Sequence, residues 1–460
     1  MVTDPVLLAL WERDGSLARG LPDAVVFPAS TEEVAAAVRV AARHGIPLVA
    51  RGAGSGLSGG AVAVQGGILL QTSRMRRIIQ VQPGRGWAIV EPGVANGDLN
   101  AAAGRHGLFY APDPSSRRTC TVGGNAAENS GGARSLLYGV TSNHVLGLEV
   151  VLADGSVHWL GGDVAERPGL DLLGVLIGSE GTLAIITRVQ VRLLRQPEAA
   201  LTVAAGFDSV AHANGSVSNL LGRGVSPAAV EIMDRTTAAA VEARFHVGYP
   251  EGVGAVLITE LHGSAAGARE LLGETRETIL AGGGEGMLVA LDEEEADPIW
   301  RSRQGAIAAL ARIRPNFYLH DLVVPRTRLP EMVALAADVA RRRRLPVASV
   351  FHAGDGNLHP TLLYDAREKG ALDAVVEAGA EMLEGCVAAG GTLSGEHGIG
   401  VEKSLQLGWV HEPGDIAAMA RVKNAFDPGG ILNPGKIFLA AAPVAMALAR
   451  YGSTEDAEWW

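Results

Sequence analysis

The side chains best suited to chemistry in this sequence are two histidines on either side of a glycine-rich turn. His352 ends one β-rich run and His359 lies in the next, with Gly-Asp-Gly-Asn between the runs. Such a turn favours a hairpin, and a four-residue loop would pair Ala353 with Leu358 and set His352 directly opposite His359 on one side of the sheet. Cross-strand Cβ atoms lie about 5 Å apart, so both imidazoles would reach one metal ion. A histidine pair in a hairpin can also be structural, and the spacing leaves both interpretations open.

Glycine-rich loops are the second chemical feature. The chain contains 60 glycines, which concentrate at residues 51–60, 123–132, 178–181 and 390–400, between segments of ordinary helix or strand patterning. Glycine permits positive φ and leaves backbone N–H groups bare, as a phosphate-rich cofactor held by several loops requires. The alternative is that these glycine-rich loops only connect helices and strands and bind no ligand.

The first of these loops matches two common motifs that its context excludes. Residues 54–59 fit G-x-G-x-x-G, and residues 56–60 fit the G-x-S-x-G pattern of hydrolases. A helix with a capping box at residues 30–33 and a strand at 46–50 precede the loop, but residues 61–72 continue as a second β-rich run. Both motifs must open a helix, so we expect neither a Rossmann unit nor a nucleophile elbow.

From residue 201 the pattern becomes α+β. The expected elements are strands at 201–207, 228–233, 255–261 and 287–291, and helices at 210–221 and 266–280. This β-α-β-β-α-β order is that of the ferredoxin-like unit. Acidic residues 292–295 begin the next helix, and the arginines at 341–344 end an amphipathic helix that starts at 329, so we interpret both as solvated helix ends.

Composition limits the function classes. With 460 residues, two domains are expected, and the net charge of −11 argues against nucleic acid or an anionic membrane surface as a partner. The two cysteines, Cys120 and Cys386, cannot build an iron–sulfur cluster. No uncharged apolar run reaches the ~18 residues of a membrane span. These features predict a cytoplasmic protein, unless a partner recruits it to the inner membrane.

Several motifs in order carry a family resemblance from about residue 21 to 438. The loop at 51–60, Tyr110-Ala-Pro-Asp-Pro-Ser-Ser116, the glycine loops at 123–132 and 178–182, and Tyr138-Gly139 resemble the FAD domain of the vanillyl-alcohol oxidase and p-cresol methylhydroxylase superfamily. Phe351-His-Ala-Gly-Asp-Gly-Asn-Leu-His-Pro360, Ser394-Gly-Glu-His-Gly-Ile-Gly400 and Asn433-Pro-Gly-Lys436 resemble the branch that holds the D subunit of bacterial glycolate oxidase and the D-lactate and D-2-hydroxyglutarate dehydrogenases.

The resemblance implies an α+β fold with a two-lobed FAD-binding domain of the p-cresol methylhydroxylase type and a ferredoxin-like cap. The expected boundaries are an N-terminal segment at 1–20, the FAD domain at 21–197, the cap at 198–439 with a segment that returns to the FAD domain, and a tail at 440–460. Trp459 and Trp460 would dock a partner or form a frayed end.

The same resemblance assigns the FAD contacts to the glycine loops and their neighbours. FAD is expected to be noncovalent, because relatives that attach it often do so through a histidine in the first loop, where this chain has none. The implied cofactor-binding residues are Arg51, Gly52, Gly54, Ser55, Gly56, Leu57, Ser58, Gly59, Pro112, Asp113, Ser115, Gly123, Gly124, Asn125, Asn129, Gly131, Gly132, Tyr138, Gly139, Glu180, Gly181, Ile186 and Asn433.

For the reaction, the resemblance adds Glu396 as the carboxylate that completes a metal site with His352 and His359. Two histidines and a glutamate suit zinc, and iron or manganese use similar ligands. His397 is the implied general base, and Arg303 the arginine that holds the substrate carboxylate. Taken alone, Arg303 would be read as a helix-surface arginine. Hydride would pass from the substrate C2 to flavin N5.

One departure narrows the substrate. Where the D-2-hydroxyglutarate enzymes place a lysine for the distal carboxylate, this chain has Leu319, although His320 could substitute. Glycolate or D-lactate is therefore favoured over 2-hydroxyglutarate or D-malate. Two other functions remain open for this chain. It would be either a noncatalytic flavin-binding assembly subunit or a synthase of the alkylglycerone-phosphate kind. Reduced FAD would pass its electrons to a quinone or to a separate iron–sulfur subunit. The chain would form a homodimer or a complex with other oxidase subunits.

Overall fold

A computed structural model describes residues 1–163 and 169–438, and the chain divides into two compact units. The first unit contains Met1–Gly131, Val140–Gln196 and the described chain from Glu396 onward. The second contains Gly132–Gly139 and Pro197–Gly395. The expected tail at 440–460, with Trp459 and Trp460, lies outside the described residues.

Short strands and helices make up the chain before residue 197. The strands are β1 (Ala24–Val26), β2 (Leu48–Arg51), β3 (Ile68–Gln71), β4 (Ile78–Gln82), β5 (Trp87–Val90), β6 (Leu108–Phe109), β7 (Val145–Val151), β8 (Val157–Gly161), β9 (Ile185–Arg192) and β10 (Leu194–Arg195). The helices are α1 (Pro5–Leu8), α2 (Thr31–His44), α3 (Asn96–Gly104), α4 (Val122–Glu128), α5 (Ser135–Tyr138) and α6 (Leu172–Leu176).

Longer elements follow. The strands are β11 (Ala199–Phe207), β12 (Ala229–Asp234), β13 (Ala255–Gly263), β14 (Glu285–Ala290), β15 (Asn316–Leu319), β16 (Leu322–Val323), β17 (Val347–His352) and β18 (Asn357–Tyr364). The helices are α7 (Val210–Gly222), α8 (Arg235–Phe245), α9 (Ala265–Ala281), α10 (Glu293–Gln304), α11 (Ala306–Leu310), α12 (Leu329–Arg342), α13 (Ala371–Ala388) and α14 (Pro413–Phe426). None of the helices in the described ranges is long and apolar enough to cross a membrane.

The first unit contains two main sheets. The parallel sheet has the order β1-β3-β2, and the antiparallel sheet has the order β4-β5-β9-β7-β8. As predicted, the Ser30 side chain caps α2 and Gly45 ends it in the left-handed conformation, with φ of +63°. The β-rich run expected at 61–72 forms a strand only at β3, which follows the glycine loop without a helix between them.

Apolar side chains from both sheets make the core of the first unit. One cluster joins the antiparallel sheet to α3 and α4 through residues such as Leu99 and Val122. Another packs Val34 and Val38 of α2 against Leu48 and Leu70 of the parallel strands. The glycine loop at 51–60 therefore leaves the end of a strand against which α2 packs its buried face.

The second unit is built on one continuous antiparallel sheet. Its order is β14-β11-β13-β12-β17-β18-β15, with β16 also paired to β18. The first four strands have the ferredoxin-like order that was predicted, and α7 and α9 connect them. The sequence-based prediction missed α8, which Asp234 caps through the backbone amide of Thr237. It also did not anticipate that the sheet continues into the histidine hairpin.

One face of this sheet changes from apolar to polar along the strands. Met233, Ile258 and Val350 pack with α8, α10 and α11 in a hydrophobic cluster. The strand registers place Glu231 and His352 on the same face, each two residues from a member of that cluster. The polar groups therefore lie at the edge of a rigid apolar core.

Candidate active site

The register of the hairpin differs from the predicted one. His352 pairs with Asn357, and Val350 pairs with His359, so the histidines are diagonal rather than directly opposite. The reason is the turn: Gly356 adopts φ of +87° and places the loop at residues 353–356. The expected common face is confirmed, because the ring centroids are 5.2 Å apart and ring nitrogens of the pair lie within 4.8 Å of each other.

Each of the two imidazoles is held through its Nδ1 atom. His352 Nδ1 lies 2.5 Å from Glu231 Oε1, and His359 Nδ1 lies 3.2 Å from the backbone oxygen of His320. Both side chains are buried, with 5% of each residue exposed. An acceptor on Nδ1 selects the Nδ1–H tautomer, so Nε2 is the nitrogen that each ring would offer to a metal ion.

Arg303 shares the carboxylate of Glu231 with His352. Its Nε donates to Glu231 Oε2 at 2.6 Å, and its Nη2 donates to the same oxygen. The arginine is buried at the inner side of α10, not on the helix surface. Burial alone would raise the pKa of Glu231, but the charge of Arg303 and the hydrogen bond from His352 hold it below its usual value. The carboxylate is therefore ionised between two hydrogen-bond donors.

Asp321 connects the hairpin to the segment before Glu396. It is fully buried, and its Oδ2 accepts from Ser394 Oγ at 2.6 Å and from the Gly395 amide at 2.8 Å. Its Oδ1 lies 3.9 Å from Nδ1 of His359. Gly395 is the last residue of the second unit, so the end of that unit is held by a residue beside His359.

Glu396 and His397 begin the last segment of the first unit and are half-buried. Within that unit, the Glu180 carboxylate accepts from the backbone amides of Ile399 and Gly400, both at 2.7 Å. Sequence resemblance predicted Glu180 as a cofactor-binding residue, and that role stays a prediction. In the structure its side chain holds the loop that carries His397.

A second carboxylate, Glu128, packs beneath the same loop. An added Cβ at Gly398 would lie 2.7 Å from Glu128 Oε2 and 2.8 Å from Glu180 Oε1, and Gly398 has φ of +89°. Burial raises the pKa of Glu128 well above its usual range, and the Glu180 carboxylate raises it further. Burial lowers the pKa of Lys436, which lies among these acids, to about 8.

The first glycine loop has the geometry that a phosphate-bearing cofactor requires. Gly54 and Gly59 adopt φ of +70° and +82°, and no atom comes within 4 Å of a Cβ built on Gly56. Ser58 Oγ is buried and has no hydrogen-bond partner among the described residues. Arg51 lies under the loop and donates to the backbone oxygen of Ala61 at 3.2 Å. The open space and the unsatisfied hydroxyl fit FAD.

Two other predicted cofactor residues, Asn433 and Asn125, make side-chain hydrogen bonds within the protein. Asn433 donates to the backbone oxygens of Gly60 and Glu180, at 2.8 and 2.7 Å, and accepts from Lys436. Asn125 is buried in α4 and accepts from Asn96. The remaining predicted positions lie in the loop after β6 (Pro112, Asp113, Ser115), in and after α4 (Gly123, Gly124, Asn129, Gly131), before β9 (Gly181) and within β9 (Ile186).

Three predicted cofactor residues, Gly132, Tyr138 and Gly139, belong to the second unit. Their segment is anchored by Arg134, whose Nε and Nη2 donate to the two oxygens of Glu260 at 2.8 and 3.0 Å. Although burial opposes it, the Arg134 charge lowers the pKa of Glu260 to about 2. The Tyr138 hydroxyl lies 2.8 Å from His262 Nδ1.

Sequence reasoning missed Glu231, Asp321 and Glu260. A usable signal was present, because Glu231 stands alone in the apolar strand Ala-Val-Glu-Ile-Met, and charged residues are almost never buried without a partner. Asp321 follows the Leu319-His320 pair that the substrate argument used. No local pattern marks its bonds to Ser394 and Gly395, more than seventy positions later in the chain.

Leu319 and His320 at the end of β15 have different surroundings. Leu319 pairs with Thr361, two residues after His359, so its side chain lies on the hairpin face with the histidines. The His320 ring instead packs against α13, where an added Cβ at Gly379 would lie 2.3 Å from its Nε2. His320 is therefore directed away from the position that the lysine of the D-2-hydroxyglutarate enzymes would occupy.

Comparison with known proteins agrees with this architecture. Residues 22–161 match the FAD binding domain family, and residues 196–437 match the FAD linked oxidases, C-terminal domain family. Glycolate oxidase subunit GlcD of Escherichia coli K12 is 42% identical over 93% of this chain and 86% of its own length. A probable mitochondrial D-lactate dehydrogenase of Danio rerio is 34% identical over 90% of this chain and 84% of its own length.

A solved structure of p-cresol methylhydroxylase with substrate bound superposes with a TM-score of 0.80 at 20% identity, over 95% of this chain and 93% of that one. This likeness confirms the predicted α+β fold class. Together with the matches over both halves of the sequence, it leads to one assignment: the chain belongs to the FAD-linked oxidases, in the family that includes glycolate oxidase subunit GlcD.

Proposed function

We propose that this protein oxidises a small D-2-hydroxy acid, glycolate or D-lactate, to the 2-oxo acid with noncovalently bound FAD. The observation that carries the proposal is the pair His352 and His359 on one buried sheet face, with Arg303 of α10 held by the same carboxylate as His352. Relatives with about a third to two fifths of their residues identical are named for glycolate oxidase and D-lactate dehydrogenase.

A divalent metal ion, zinc in the first instance, would be held by His352, His359 and Glu396. The two imidazoles are close enough for one ion, and Asp321 fixes the backbone one residue before Glu396. When bound, the ion would favour the deprotonated substrate hydroxyl, and FAD would accept the hydride from C2. Two histidines and one carboxylate leave coordination positions for substrate oxygens.

The protein's own residues would bind the substrate and move its proton. Arg303 would hold the carboxylate through its guanidinium, since Glu231 already fixes one edge of that group. His397 would take the hydroxyl proton as general base. Glu180, by holding the amides of Ile399 and Gly400, would keep the His397 loop in place.

The hairpin face favours a monocarboxylate. Leu319 presents an apolar side chain there, and the His320 ring packs against α13. A second carboxylate on the substrate would meet no cation from either residue. This favours glycolate and D-lactate over D-malate and D-2-hydroxyglutarate.

Reduced FAD would pass its electrons to a quinone or to a separate iron–sulfur subunit. The chain has only two cysteines, too few to supply the four thiolates of an iron–sulfur cluster. The noncatalytic alternative is an assembly subunit that binds flavin, and the grouping of His352, His359 and Arg303 argues against it.

Anaerobic mixing with single substrates tests the proposal. D-lactate or glycolate should bleach the flavin absorbance, D-lactate much faster than L-lactate, and acid precipitation should release all the FAD into the supernatant. Flavin that stays yellow with every 2-hydroxy acid would favour the assembly-subunit alternative. Flavin that remains with the precipitate would refute noncovalent binding.

A further inference from the structure

We propose that Glu231 is a positioning residue that sets two parts of the reaction site at once, the tautomer of His352 and the orientation of Arg303. The inference rests on the proposed function, in which His352 binds the metal and Arg303 binds the substrate carboxylate. Glu231 touches neither substrate nor flavin in this scheme. It acts through the two side chains that do.

The two carboxylate oxygens of Glu231 bind different partners. Oε1 lies 2.5 Å from His352 Nδ1, and Oε2 accepts from Nε and Nη2 of Arg303. The residue is 0% exposed, and it stands opposite His352 in the β12–β17 pairing, so the backbone fixes its reach. One buried anion therefore couples the two groups, which lie on a strand and a helix far apart in sequence.

An ionised carboxylate can only accept hydrogen bonds. His352 must consequently carry its proton on Nδ1, which leaves a lone pair on Nε2 for a metal ion. On the other side, the Nε and Nη2 edge of the guanidinium is fixed by Oε2. Among the described residues, Arg303 Nη1 donates to no protein acceptor, so that edge is the one available to a substrate carboxylate.

Glutamine at this position cannot serve both partners. It has one accepting oxygen and one donating NH₂ group. If the NH₂ group faces His352, the ring must move its proton to Nε2 and lose the lone pair that binds the metal. If it faces Arg303, two donors meet and the guanidinium loses its fixed edge. Either arrangement therefore loses the metal-binding tautomer of His352 or the fixed orientation of Arg303.

The chain offers a matched control on the neighbouring strand. Glu260 of β13 lies on the same sheet face, is 4% exposed, and binds Arg134 through both oxygens with His262 Nε2 3.4 Å away. Glu260→Gln therefore also breaks a buried carboxylate–arginine pair beside a histidine. It leaves His352 and Arg303 untouched.

The experiment compares wild type, Glu231→Gln, Glu231→Asp and Glu260→Gln as full-length proteins with FAD bound. Metal content is measured by elemental analysis before and after a chelator challenge, and zinc affinity by titration with zinc alone. KM and kcat for D-lactate are measured separately. We expect Glu231→Gln to lose zinc affinity 10–100-fold or to raise KM at least tenfold, while Glu260→Gln keeps the zinc affinity of the wild type.

Glu231→Asp keeps two acceptor oxygens, so it should recover part of the zinc affinity or of the KM that Glu231→Gln changes. It also replaces the glutamine variant in the comparison if that variant does not fold. Unchanged zinc affinity and KM in Glu231→Gln would overturn the inference, as would an equal loss of zinc in Glu260→Gln. A wild type that binds no zinc would overturn both the metal site and this role. A wild type that binds zinc but is reduced by no hydroxy acid would overturn the proposed function alone, and the zinc titration would still decide the role of Glu231.

Discussion

The carboxylate of Glu180 clamps the backbone at Gly400, where it accepts the amide proton at 2.7 Å while its other oxygen accepts from the preceding residue. This contact joins the loop before β9 to the loop that carries His397. Burial raises the pKa of Glu180, whereas the two backbone amides lower it. Both oxygens of the side chain thus accept from protein donors, which supports a loop-holding role for Glu180.

Glu180→Gln should therefore reduce flavin-reduction rates while FAD content stays at the wild-type level. The amide can accept one backbone proton, but its NH₂ group opposes the second, so the His397 loop shifts. A fall of roughly tenfold or more in the single-turnover rate is expected, equivalent to about 1.4 kcal/mol. Absorbance spectra give the FAD content of the same samples. Loss of FAD with an unchanged rate in the remaining holoenzyme would assign Glu180 to cofactor binding instead.

Glu396→Gln should lose metal together with activity, because a neutral amide is a weaker ligand and compensates less of the ion's charge. Elemental analysis and anaerobic flavin reduction measure the two effects. Full activity in a metal-free wild type would contradict the metal site altogether.

His397→Asn should keep both metal and FAD, while flavin reduction slows by a factor on the order of 10² to 10⁴, the usual share of a positioned general base. Single-turnover measurement is needed, since slow reoxidation would hide the change in steady state. Reduction at the wild-type rate would remove His397 from the base role. The adjacent Glu396→Gln protein is its control for metal content.

Leu319→Lys should shift preference toward dicarboxylate substrates. The new ammonium would lie on the hairpin face beside His359 and pair with a distal carboxylate, a charged hydrogen bond worth about 1.5 kcal/mol or roughly tenfold. The ratio of kcat/KM for D-malate to that for D-lactate measures it. Phe317→Lys puts the same charge two residues earlier on β15, on the same face but farther from His359, and should leave the ratio unchanged. Equal shifts in both variants would indicate a general charge effect.

Acid should weaken the second unit through Glu260. Its pKa is lowered to about 2 from the 4.5 of a free side chain, so the native state binds fewer protons than the unfolded state between these values. The resulting stabilisation, about 3 kcal/mol, is present above pH 4.5 and is lost as the pH falls toward 2.

Urea unfolding midpoints of wild type and Glu260→Gln, followed by tryptophan fluorescence at pH 6 and pH 3, test this assignment. The variant should be less stable at pH 6, and the difference should shrink at pH 3 because the Glu260 carboxylate of the unfolded wild type is protonated there, which removes part of the stabilisation. A difference that is the same at both pH values would exclude Glu260 as the titrating group.

The sequence predicted those elements whose signals are local. Ser30 and Gly45 mark the ends of α2 directly, and the alternation of strands and helices from residue 201 gives the ferredoxin-like order. The common face of His352 and His359 follows from strand periodicity. Their register does not, because Gly354 and Gly356 are both able to turn the chain and only Gly356 adopts positive φ.

The positioning residues could not be predicted in the same way. Glu231 meets Arg303 across 72 positions and His352 across 121, and only the sheet order brings the three together. A lone glutamate in an apolar strand indicates that a partner exists, but not which one. Asp321 carries no local signal for its bonds to Ser394 and Gly395.

The segment Gly132–Gly139 has a consequence for any dissection of the chain. It interrupts the first unit, joins the second through the Arg134–Glu260 pair, and returns at Val140. A fragment cut from 197 to 395 would therefore contain Glu260 without its arginine, and an unpaired buried charge costs about 3–5 kcal/mol. The second unit is thus built from two separate stretches of sequence. A chimera with another oxidase must therefore exchange residues 132–139 together with 197–395, because otherwise its second unit would lack the arginine that pairs with Glu260.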